Sequence, residues 1–236
     1  AAHKRHAAYY LDVLGRANDL YFEGADKIVK GLSLFDLERT NIEAGFEWSA
    51  TNMVSDSDAA RMTSAYPDVG VYCLNLRQHA KREWIPWLQK AIDAAKTLKD
   101  KKAEGYHLGN LGNAYADLGD ARKAIEYYEK RIVIAKEIGD RRGEVNALGN
   151  LGNAYLVLGD ARKAIEYHEK ALVIMEEIGD RRAQGSILGN LGLAYADLGG
   201  ARKAIEYYEK RIVIAKEIGD RRGEGRVLGN MGLAYA

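Results

Sequence analysis

Paired asparagines recur along the second half of the sequence, each pair beside glycines. The stretch GNLGNAY occupies residues 109–115 and returns at 149–155, and the variants GNLGLAY and GNMGLAY follow at 189–195 and 229–235. A carboxamide offers two N–H donors and a carbonyl acceptor, which are the kinds of group that a peptide backbone can pair with. A row of such amides could therefore bind an extended peptide backbone without demanding a particular sequence.

These asparagines and glycines stand in a stretch that has the spacing of a helix. Leu108, Leu111 and Tyr115 fall on one face of a 3.6-residue period. Asn and Gly each cost roughly 0.7–1 kcal/mol relative to Ala inside a helix. A helix that is weakened in every copy indicates that these residues serve packing or ligand access. We expect Gly112 to let neighbouring helices approach closely, and Gly109 to leave open space beside the asparagines.

The asparagine stretches belong to a 40-residue repeat that dominates the sequence. Copies 1, 2 and 3 cover residues 105–144, 145–184 and 185–224, and residues 225–236 begin a fourth copy. Copies 1 and 3 differ at four positions, which indicates a recent duplication. Repetition at this period is typical of solenoids built from stacked supersecondary units.

Each copy is predicted to contain two helices, A and B, joined by a tight turn. In copy 2 we expect helix A over about 142–158 and helix B over about 161–178. Gly159 stands where a helix C-terminus favours a left-handed residue, and Asp160 can cap the helix that follows. Copy 3 has Gly200 in place of that aspartate, so we expect its cap to be weaker by a few tenths of a kcal/mol.

The N-terminal segment, residues 1–55, does not follow the repeat. It is predicted to form two long helices, over about 3–22 and 34–52, that cap the first face of the array. The second helix is expected to open with a capping box, in which Ser33 is the N-cap and Asp36 is the acid three residues later.

Residues 56–104 are interpreted as a degenerate first repeat. The stretch WLQKAIDAAKTL at 87–98 aligns with YYEKRIVIAKEI at 127–138, one period later. Trp84 and Trp87 fall in this segment, and we interpret them as an aromatic packing plug.

The repeats resemble the tetratricopeptide repeat family. In copy 1 the resemblance rests on signature small and large residues, namely Leu111, Gly112, Tyr115, Gly119, Ala124 and Tyr128. Arg131 departs from the pattern, because its position is usually Ala, as it is at Ala171 in copy 2. The longer period and the helix-B ending IVIAKEIGDRRGE are similar to the Pins/LGN polarity scaffolds and the kinesin light chains. The resemblance implies an all-α fold, a right-handed α-solenoid whose A helices line a concave groove and whose B helices form the outer surface.

The N-terminal part has a second resemblance, to the helical junction of bacterial signal-transduction ATPases with numerous domains (STAND). It rests on RHAAYYLDVL, LSLFDLERTNIEAGFEWSA and the stretch LRQHAKREWIPWLQKAI at 76–92. In that family the junction links an NB-ARC ATPase to a tetratricopeptide sensor. The sequence has no phosphate-binding G-x-x-x-x-G-K-[ST] motif, so the resemblance implies a sensor fragment whose ATPase would lie before Ala1.

The tetratricopeptide resemblance implies that the asparagines form a ladder along the groove. The predicted groove residues are Asn110, Asn113, Asn150, Asn153, Asn190, Leu193, Arg226, Asn230 and Leu233. One half of this groove would be polar and the other more apolar, so we expect a ligand of matching polarity with an acidic or carboxylate group near Arg226. Two alternatives remain: the differences reflect drift among young repeats, or the asparagines are only solvated or bridge neighbouring A helices.

Composition argues against several other functions. The 35 Lys and Arg nearly balance the 34 Asp and Glu, so no global field favours nucleic acid or an anionic membrane. The single cysteine, Cys73, excludes an intramolecular disulfide and fits a reducing, cytoplasmic location. No metal-ligand spacing connects the five histidines, which are His3, His6, His79, His107 and His168. His168 replaces a tyrosine of the other copies, and we expect it to pack within helix B.

Charged residues of the repeats are interpreted as solvated surface. Glu126 and Glu129 alternate with Lys and Arg, which favours a salt-bridged face over acid/base catalysis. The Arg-Arg pairs at 141–142, 181–182 and 221–222 each follow an aspartate and lack interleaved aromatic residues, which disfavours nucleic-acid binding.

Two functions of different class therefore remain. The first is non-enzymatic recognition, in which the groove captures a protein, a peptide or a small effector and, in a STAND parent, releases an autoinhibited ATPase. The second is a constitutive scaffold of the Pins/LGN type that joins partners through its outer helices without switching. Neither function needs a cofactor or a metal ion, and we expect a monomer in isolation with neither nucleic acid nor a membrane as partner.

Overall fold

The computed structural model of the chain describes residues 1–77 and 84–235. Within these ranges the chain forms 12 helices and no strand, so the predicted all-α class is confirmed. The helices fall into two compact units, Ala1–Ala114 and Tyr115–Ala236. Among the described residues, none of the helices combines the length and the apolar character that a membrane crossing requires.

Unit 1 contains five helices and most of a sixth. Helices α1 to α6 span Ala2–Phe22, Asp26–Asn52, Ser57–Val69, Val71–Arg77, Ile85–Thr97 and Lys101–Asp117. Helices α1 and α2 make the most extensive pairing, and α3 packs against both of them and against α5. The predicted first helix, over about 3–22, is confirmed.

Helix α2 begins earlier than its sequence signal predicts. It starts at Asp26 and runs through Ser33, so the predicted capping box at Ser33 is wrong. Gly24, with φ of 75°, makes the turn into α2 instead. A Cβ at Gly31 would overlap the carbonyl oxygen of Ala17, so glycine at this position lets α1 and α2 lie close together while the helix continues.

Aromatic side chains fill the core of unit 1, as expected for Trp84 and Trp87. These two residues are 3% and 8% exposed. Trp87 stacks on Phe46 of α2 with ring centroids 3.9 Å apart, and it meets Tyr66 of α3 edge-on at 5.9 Å. The Tyr66 hydroxyl donates to the carbonyl oxygen of Ala7 at 2.7 Å, which joins α3 to α1. The tryptophan of α5 thereby connects to both N-terminal helices through one aromatic cluster.

Unit 2 contains the end of α6 and six helices in regular alternation. Helices α7 to α12 span Ala121–Ile138, Arg141–Val157, Ala161–Ile178, Arg181–Asp197, Ala201–Glu217 and Arg221–Tyr235. Helices α8, α10 and α12 are the A helices, and α7, α9 and α11 are the B helices. Each helix packs on the next, and the A helices also contact one another in succession. The bounds of α8 and α9 match the predicted helices of copy 2 to within one residue.

Turn residues explain why the helices end where they do. Gly159 and Gly179 adopt φ of 76° and 74°, the left-handed region that glycine enters without a steric cost. The Asp160 side chain then caps α9 by accepting a hydrogen bond from the backbone N–H of Lys163 at 3.1 Å. At Gly200 no side-chain cap is present, and the weaker start of α11 stays a prediction.

Glycines on the A helices make room for large side chains of the B helices. A Cβ at Gly152 would lie 2.6 Å from ring atoms of His168, and one at Gly192 would overlap the ring of Tyr208. The close approach predicted for Gly112 is therefore present at its counterparts in copies 2 and 3. His168 is fully buried, which confirms its predicted packing, and burial lowers its pKa to about 4.

Candidate functional site

One side of each A helix faces helix B, and the other side carries the predicted asparagines. Leu151 and Leu191 are fully buried in the core of unit 2. The residues on the other side are exposed or half-buried, and we call those of unit 2 the A-helix surface. The A-helix surface consists of Asn146, Asn150, Asn153, Ser186, Asn190, Leu193, Arg226, Asn230 and Leu233.

A hydrogen bond between two asparagines joins neighbouring A helices. The Nδ2 of Asn190 on α10 donates to the Oδ1 of Asn153 on α8 at 3.1 Å. The alternative that asparagines bridge A helices is therefore realised at this pair. The bridge uses one end of each carboxamide, and among the described residues the Nδ2 donor of Asn153 and the Oδ1 acceptor of Asn190 have no further hydrogen-bond partner.

The same bridge cannot form one repeat further along the chain. Leu193 stands at the position of Asn153, and a leucine cannot accept a hydrogen bond from Asn230. Leu193 is 39% exposed and Leu233 is 79% exposed. The A-helix surface therefore changes from hydrogen-bonding between α8 and α10 to apolar between α10 and α12.

Two of the predicted groove residues, Asn110 and Asn113, lie on α6 in unit 1. Asn110 is half-buried and its Nδ2 is enclosed without a hydrogen-bond partner among the described residues, whereas Asn113 is exposed. Asn150, the counterpart of Asn110 in copy 2, is half-buried on α8.

The glycine before each asparagine differs in its surroundings between copies 2 and 3. A Cβ at Gly149 would meet nothing within 4 Å, which is the open space predicted for this position of the repeat. At Gly189 the same space is filled by the side chain of Arg211 from α11. The Nη1 of Arg211 donates to the carbonyl oxygen of Gly185 at 3.1 Å, and Arg211 is only 6% exposed. The sequence signal was noted only at its counterpart in copy 1, Arg131, which departs from the usual Ala.

Stacked tyrosines tie each A helix to its B helix, and sequence reasoning missed them. Tyr155 and Tyr167 stack with centroids 5.4 Å apart, and the Nζ atoms of Lys163 and Lys170 lie 4.8 and 5.0 Å from the two rings. Copies 1 and 3 repeat the arrangement. Aromatic and basic side chains are therefore interleaved at this position of the repeat. The lysines and the stacked partner rings cover the tyrosine ring faces on which a nucleic-acid base would have to stack.

The arginines at the starts of the A helices are paired with acids. Arg141 contacts Glu177 at the end of α9 and lies 3.1 Å from Glu144 on its own helix. The hydrogen bond that the Arg141 guanidinium donates to the Glu177 carboxylate is the main cause of the raised pKa of Arg141. Arg181 contacts Glu217 in the same way one repeat later. These pairs neutralise two of the predicted basic positions.

A polar cluster in unit 1 was also missed, because its members come from two distant helices. The Nε2 of His107 lies 2.9 Å from the Oγ of Ser64, and its Nδ1 lies 3.4 Å from the Oδ1 of Asp68. Burial lowers the pKa of His107 to about 4 and raises that of Asp68 to about 7, so both groups favour their neutral forms. The Asp68 side chain is 39% exposed as a whole, but the oxygen that faces His107 is enclosed.

Ser64, His107 and Asp68 are the residue types of a hydrolase catalytic triad, but the described residues around them do not form a site that a substrate could enter. Ser64 is 8% exposed and lies inside α3, so a substrate carbonyl cannot approach its hydroxyl. Backbone N–H groups inside a helix are already hydrogen-bonded and cannot stabilise an oxyanion. We therefore assign the cluster to packing between α3 and α6.

Comparison with protein-family models identifies the repeats. Residues 143–217 match a model described as tetratricopeptide repeat, and residues 108–142 match a second model with the same description. A search of curated protein sequences gave no significant match.

Several solved structures share the fold at low sequence identity. A STAND protein with a tetratricopeptide repeat sensor from Pyrococcus horikoshii has a TM-score of 0.75 and 20% identity over 95% of this chain. This chain covers only 33% of that protein. A Podosopora anserina protein assigned as a kinesin light chain, with nearly identical TPR-like repeats, has a TM-score of 0.68 and 15% identity, covering 91% of this chain and 98% of that chain.

A third similar structure is aspartyl phosphate phosphatase F from Bacillus subtilis. Its TM-score is 0.66 at 13% identity, over 99% of this chain and 71% of that chain. At such identities the likeness concerns the fold alone. Together with the family models it confirms the predicted class, an all-α solenoid of helix pairs, and residues 108–217 of this chain are tetratricopeptide repeats.

Proposed function

We propose that this chain is a non-enzymatic recognition module that binds an extended peptide along the A-helix surface. The observation that carries the proposal is the bridge between Asn153 and Asn190. Its unused ends are one donor and one acceptor on adjacent helices, and an extended peptide offers the matching carbonyl and N–H groups.

The bridge also prepares the two side chains for binding. Ordering a flexible side chain at an interface costs about 0.5–1.5 kcal/mol, and a carboxamide that is already held avoids part of that cost. Gly149, with open space above it, gives a peptide backbone room to approach α8. These features together favour backbone recognition with little dependence on the ligand's side chains.

The recognition module is the ligand sensor of a STAND-type signalling ATPase in the cytoplasm. Ligand binding favours the open state of the parent protein and releases its ATPase. The structural likeness to the STAND protein from Pyrococcus horikoshii, over 95% of this chain, supports this assignment. In this arrangement residues 1–55 form the helical junction and residues 56–104 form the first, degenerate repeat.

An observation on the B helices favours the second candidate, a constitutive scaffold. Val133, Val173 and Val213 occupy the same position in three copies and are 66%, 57% and 55% exposed. A row of exposed valines on the outer helices could hold a partner through apolar contacts. This function needs no ligand on the A-helix surface and no switching.

Selection of short random peptides on the purified chain tests these two functions. We expect selected peptides to bind the double variant Asn153→Ala, Asn190→Ala about tenfold more weakly than the natural chain, measured by fluorescence anisotropy. Val173→Ala is the matched control and is expected to leave their affinity unchanged. The opposite pattern, loss with Val173→Ala alone, would establish the scaffold and overturn groove recognition. Circular dichroism of each variant confirms that its helices are intact.

A further inference from the structure

The space beside Gly149 on α8 is open, whereas its counterpart in copy 3 is closed. Gly149 is half-buried, and a Cβ added to it would meet nothing among the described residues within 4 Å. Gly189, at the same position in copy 3, is buried, and the side chain of Arg211 lies over it. Copy 2 has Ala171 in place of that arginine. Unit 2 therefore contains one repeat in which this space is filled and one in which it is accessible from the A-helix surface.

Copy 3 shows what kind of group fits this space. A Cβ at Gly189 would overlap the Nη1 of Arg211, so the guanidinium itself occupies the space. That Nη1 donates to the carbonyl oxygen of Gly185, one turn earlier on α10, at 3.1 Å. A backbone carbonyl has two lone pairs, so it can accept this bond in addition to its helix bond. In copy 2 the carbonyl oxygen of Val145 occupies the corresponding position on α8.

The charges in copy 2 favour a cation in this space more than those in copy 3. Burial lowers the pKa of Arg211 most, repulsion from Arg226 lowers it further, and attraction to Asp220 opposes both. In copy 2 Ser186 stands in place of the repelling arginine, and Asp180 stands in place of the attracting aspartate. The attraction is therefore retained without the repulsion, although copy 3 already accommodates a guanidinium despite that repulsion.

The open space also adjoins the asparagine bridge. Gly149 and Asn153 are four residues apart on α8, which makes them neighbours on one helix face, about 5–6 Å apart. Asn190 donates to Asn153 from α10 at 3.1 Å. A peptide whose backbone pairs with this bridge therefore lies within reach of the space for one of its long side chains.

We propose that the space beside Gly149 is a subsite for an arginine side chain of the peptide ligand. The proposal rests on the proposed function, because the arginine belongs to the peptide whose backbone pairs with the asparagine bridge. Its guanidinium lies over Gly149 and donates to the carbonyl oxygen of Val145, in the way that Arg211 donates within copy 3. A guanidinium is planar and more weakly hydrated than an ammonium group, so it enters a partly buried space at a lower cost than lysine would.

Three synthetic peptides test the proposal. They are acetylated and amidated heptapeptides of threonine, which favours an extended backbone, with arginine, citrulline or alanine at the central position. Citrulline has the shape of arginine without its charge. The readout is the shift of the backbone amides around Gly149 in ¹H–¹⁵N spectra of the full chain. We expect a saturable shift with the arginine peptide, binding about tenfold weaker with the alanine peptide, and an intermediate affinity with citrulline.

Variants that exchange the chain's own repeat residues identify the site. Ala171→Arg with Val145→Gly reproduces copy 3 and is expected to abolish binding of the arginine peptide, because the chain's own guanidinium fills the space. Gly149→Ala places a methyl group there without a clash and should weaken the arginine peptide by about threefold or more. Ser186→Arg introduces the repulsion of copy 3 and should weaken the arginine peptide alone. Val173→Ala is the control that leaves all three affinities unchanged.

The reverse exchange is expected to create a second site. Arg211→Ala with Arg226→Ser gives copy 3 the residues that copy 2 has at these positions. The arginine peptide should then also shift the backbone amides of α10 around Gly189. Circular dichroism shows whether the helices of each variant are intact. Unchanged amides of α10 in an intact variant would contradict the role of the open space.

The outcomes separate this proposal from the proposed function. Equal affinity of the arginine and alanine peptides overturns the arginine subsite, and so does the absence of a shift on α8 or unchanged binding in the variant with Ala171→Arg. Citrulline that binds as tightly as arginine would overturn the assignment to a cation. If selected peptides lose affinity in the asparagine double variant while the arginine peptide fails, the recognition function stands without the subsite. An arginine peptide that binds the asparagine double variant unchanged would keep the subsite and overturn backbone recognition.

Discussion

Copies 2 and 3 of the repeat build helices of nearly the same length and present different surfaces. Copy 2 has Asn153 on an exposed position and an open space at Gly149, whereas copy 3 has Leu193 and a space filled by Arg211. Several buried residues are the same in both, such as the fully buried Leu151 and its counterpart Leu191. In this repeat the core positions define the helix pair, and a few other positions define what the pair can bind.

The largest expected difference between the copies is in how their stability depends on pH. His168 is buried without a hydrogen-bond partner in the part of the chain that the structure describes, and burial lowers its pKa to about 4 from 6.5 for a free side chain. The unfolded chain therefore takes up a proton that the folded chain resists, and stability is lost as the pH falls from 6.5 towards 4. The loss amounts to about 3 kcal/mol when complete. Tyrosine is the residue of copy 3 at this position. We expect His168→Tyr to abolish this loss of stability, measured by urea unfolding at pH 7 and at pH 4.5.

The reciprocal change is the control for this pH effect. Tyr208→His should introduce a second acid-sensitive position into copy 3, beside the same kind of glycine. His107 in unit 1 is unchanged in both variants and keeps its own pH dependence. Identical pH dependence in the natural chain and in His168→Tyr would contradict the assignment.

Alanine substitution of two glycines should have opposite effects. Gly192→Ala places a Cβ against the Tyr208 ring, and overpacking of this kind typically costs about 1–3 kcal/mol. Gly149→Ala meets nothing within 4 Å and should stabilise α8 by up to about 1 kcal/mol. Chemical denaturation of both variants measures the difference. Destabilisation by Gly149→Ala as large as that by Gly192→Ala would show that the space beside Gly149 is not open.

Exchanging the residues at 153 and 193 should move the asparagine bridge. Asn153→Leu removes the acceptor of Asn190 and is expected to cost about 0.5–1 kcal/mol. Leu193→Asn gives Asn230 an acceptor and should link α10 to α12. Slowed exchange of the Nδ2 protons, followed by NMR, reports the bridge directly. Unchanged exchange at Asn190 in Asn153→Leu would argue that the bridge does not form in solution.

The smallest expected effect is at the start of α11. Gly200→Asp should restore the side-chain cap that Asp160 provides in copy 2, with a gain of a few tenths of a kcal/mol. Asp160→Gly is the matched variant, because it removes the side-chain cap of α9. Thermal unfolding of the pair should move the midpoints in opposite directions, and two shifts of the same sign would exclude a capping effect.

Local signals allowed most of the repeat structure to be predicted from the sequence. Gly159 and Asp160 end one helix and begin the next through interactions with their immediate neighbours, so their roles follow from residue type and spacing. The start of α2 was missed because the Ser33 pattern is also local, whereas the helix is continued by packing at Gly31 against α1. Close approach of two helices overrides a capping signal of modest strength.

The candidate site was harder to predict, because its contacts join residues far apart in the chain. The bridge from Asn190 to Asn153 spans 37 residues, and the pair of Ser64 and His107 spans 43. At Arg131, the counterpart of Arg211 in copy 1, the sequence indicated only a departure from the usual Ala, and the burial of Arg211 depends on Gly189 in another helix leaving room for it. Such contacts depend on how whole helices are arranged in space. The spacing of residues along a single helix does not predict that arrangement.

The succession of helix-to-helix contacts in unit 2 has a consequence for how it opens. Because each helix packs mainly on its neighbours, fluctuations should propagate along the array as a one-dimensional chain of coupled segments. Opening of one helix pair should therefore loosen the adjacent pairs before distant ones, and hydrogen exchange of backbone amides should show graded protection along the array.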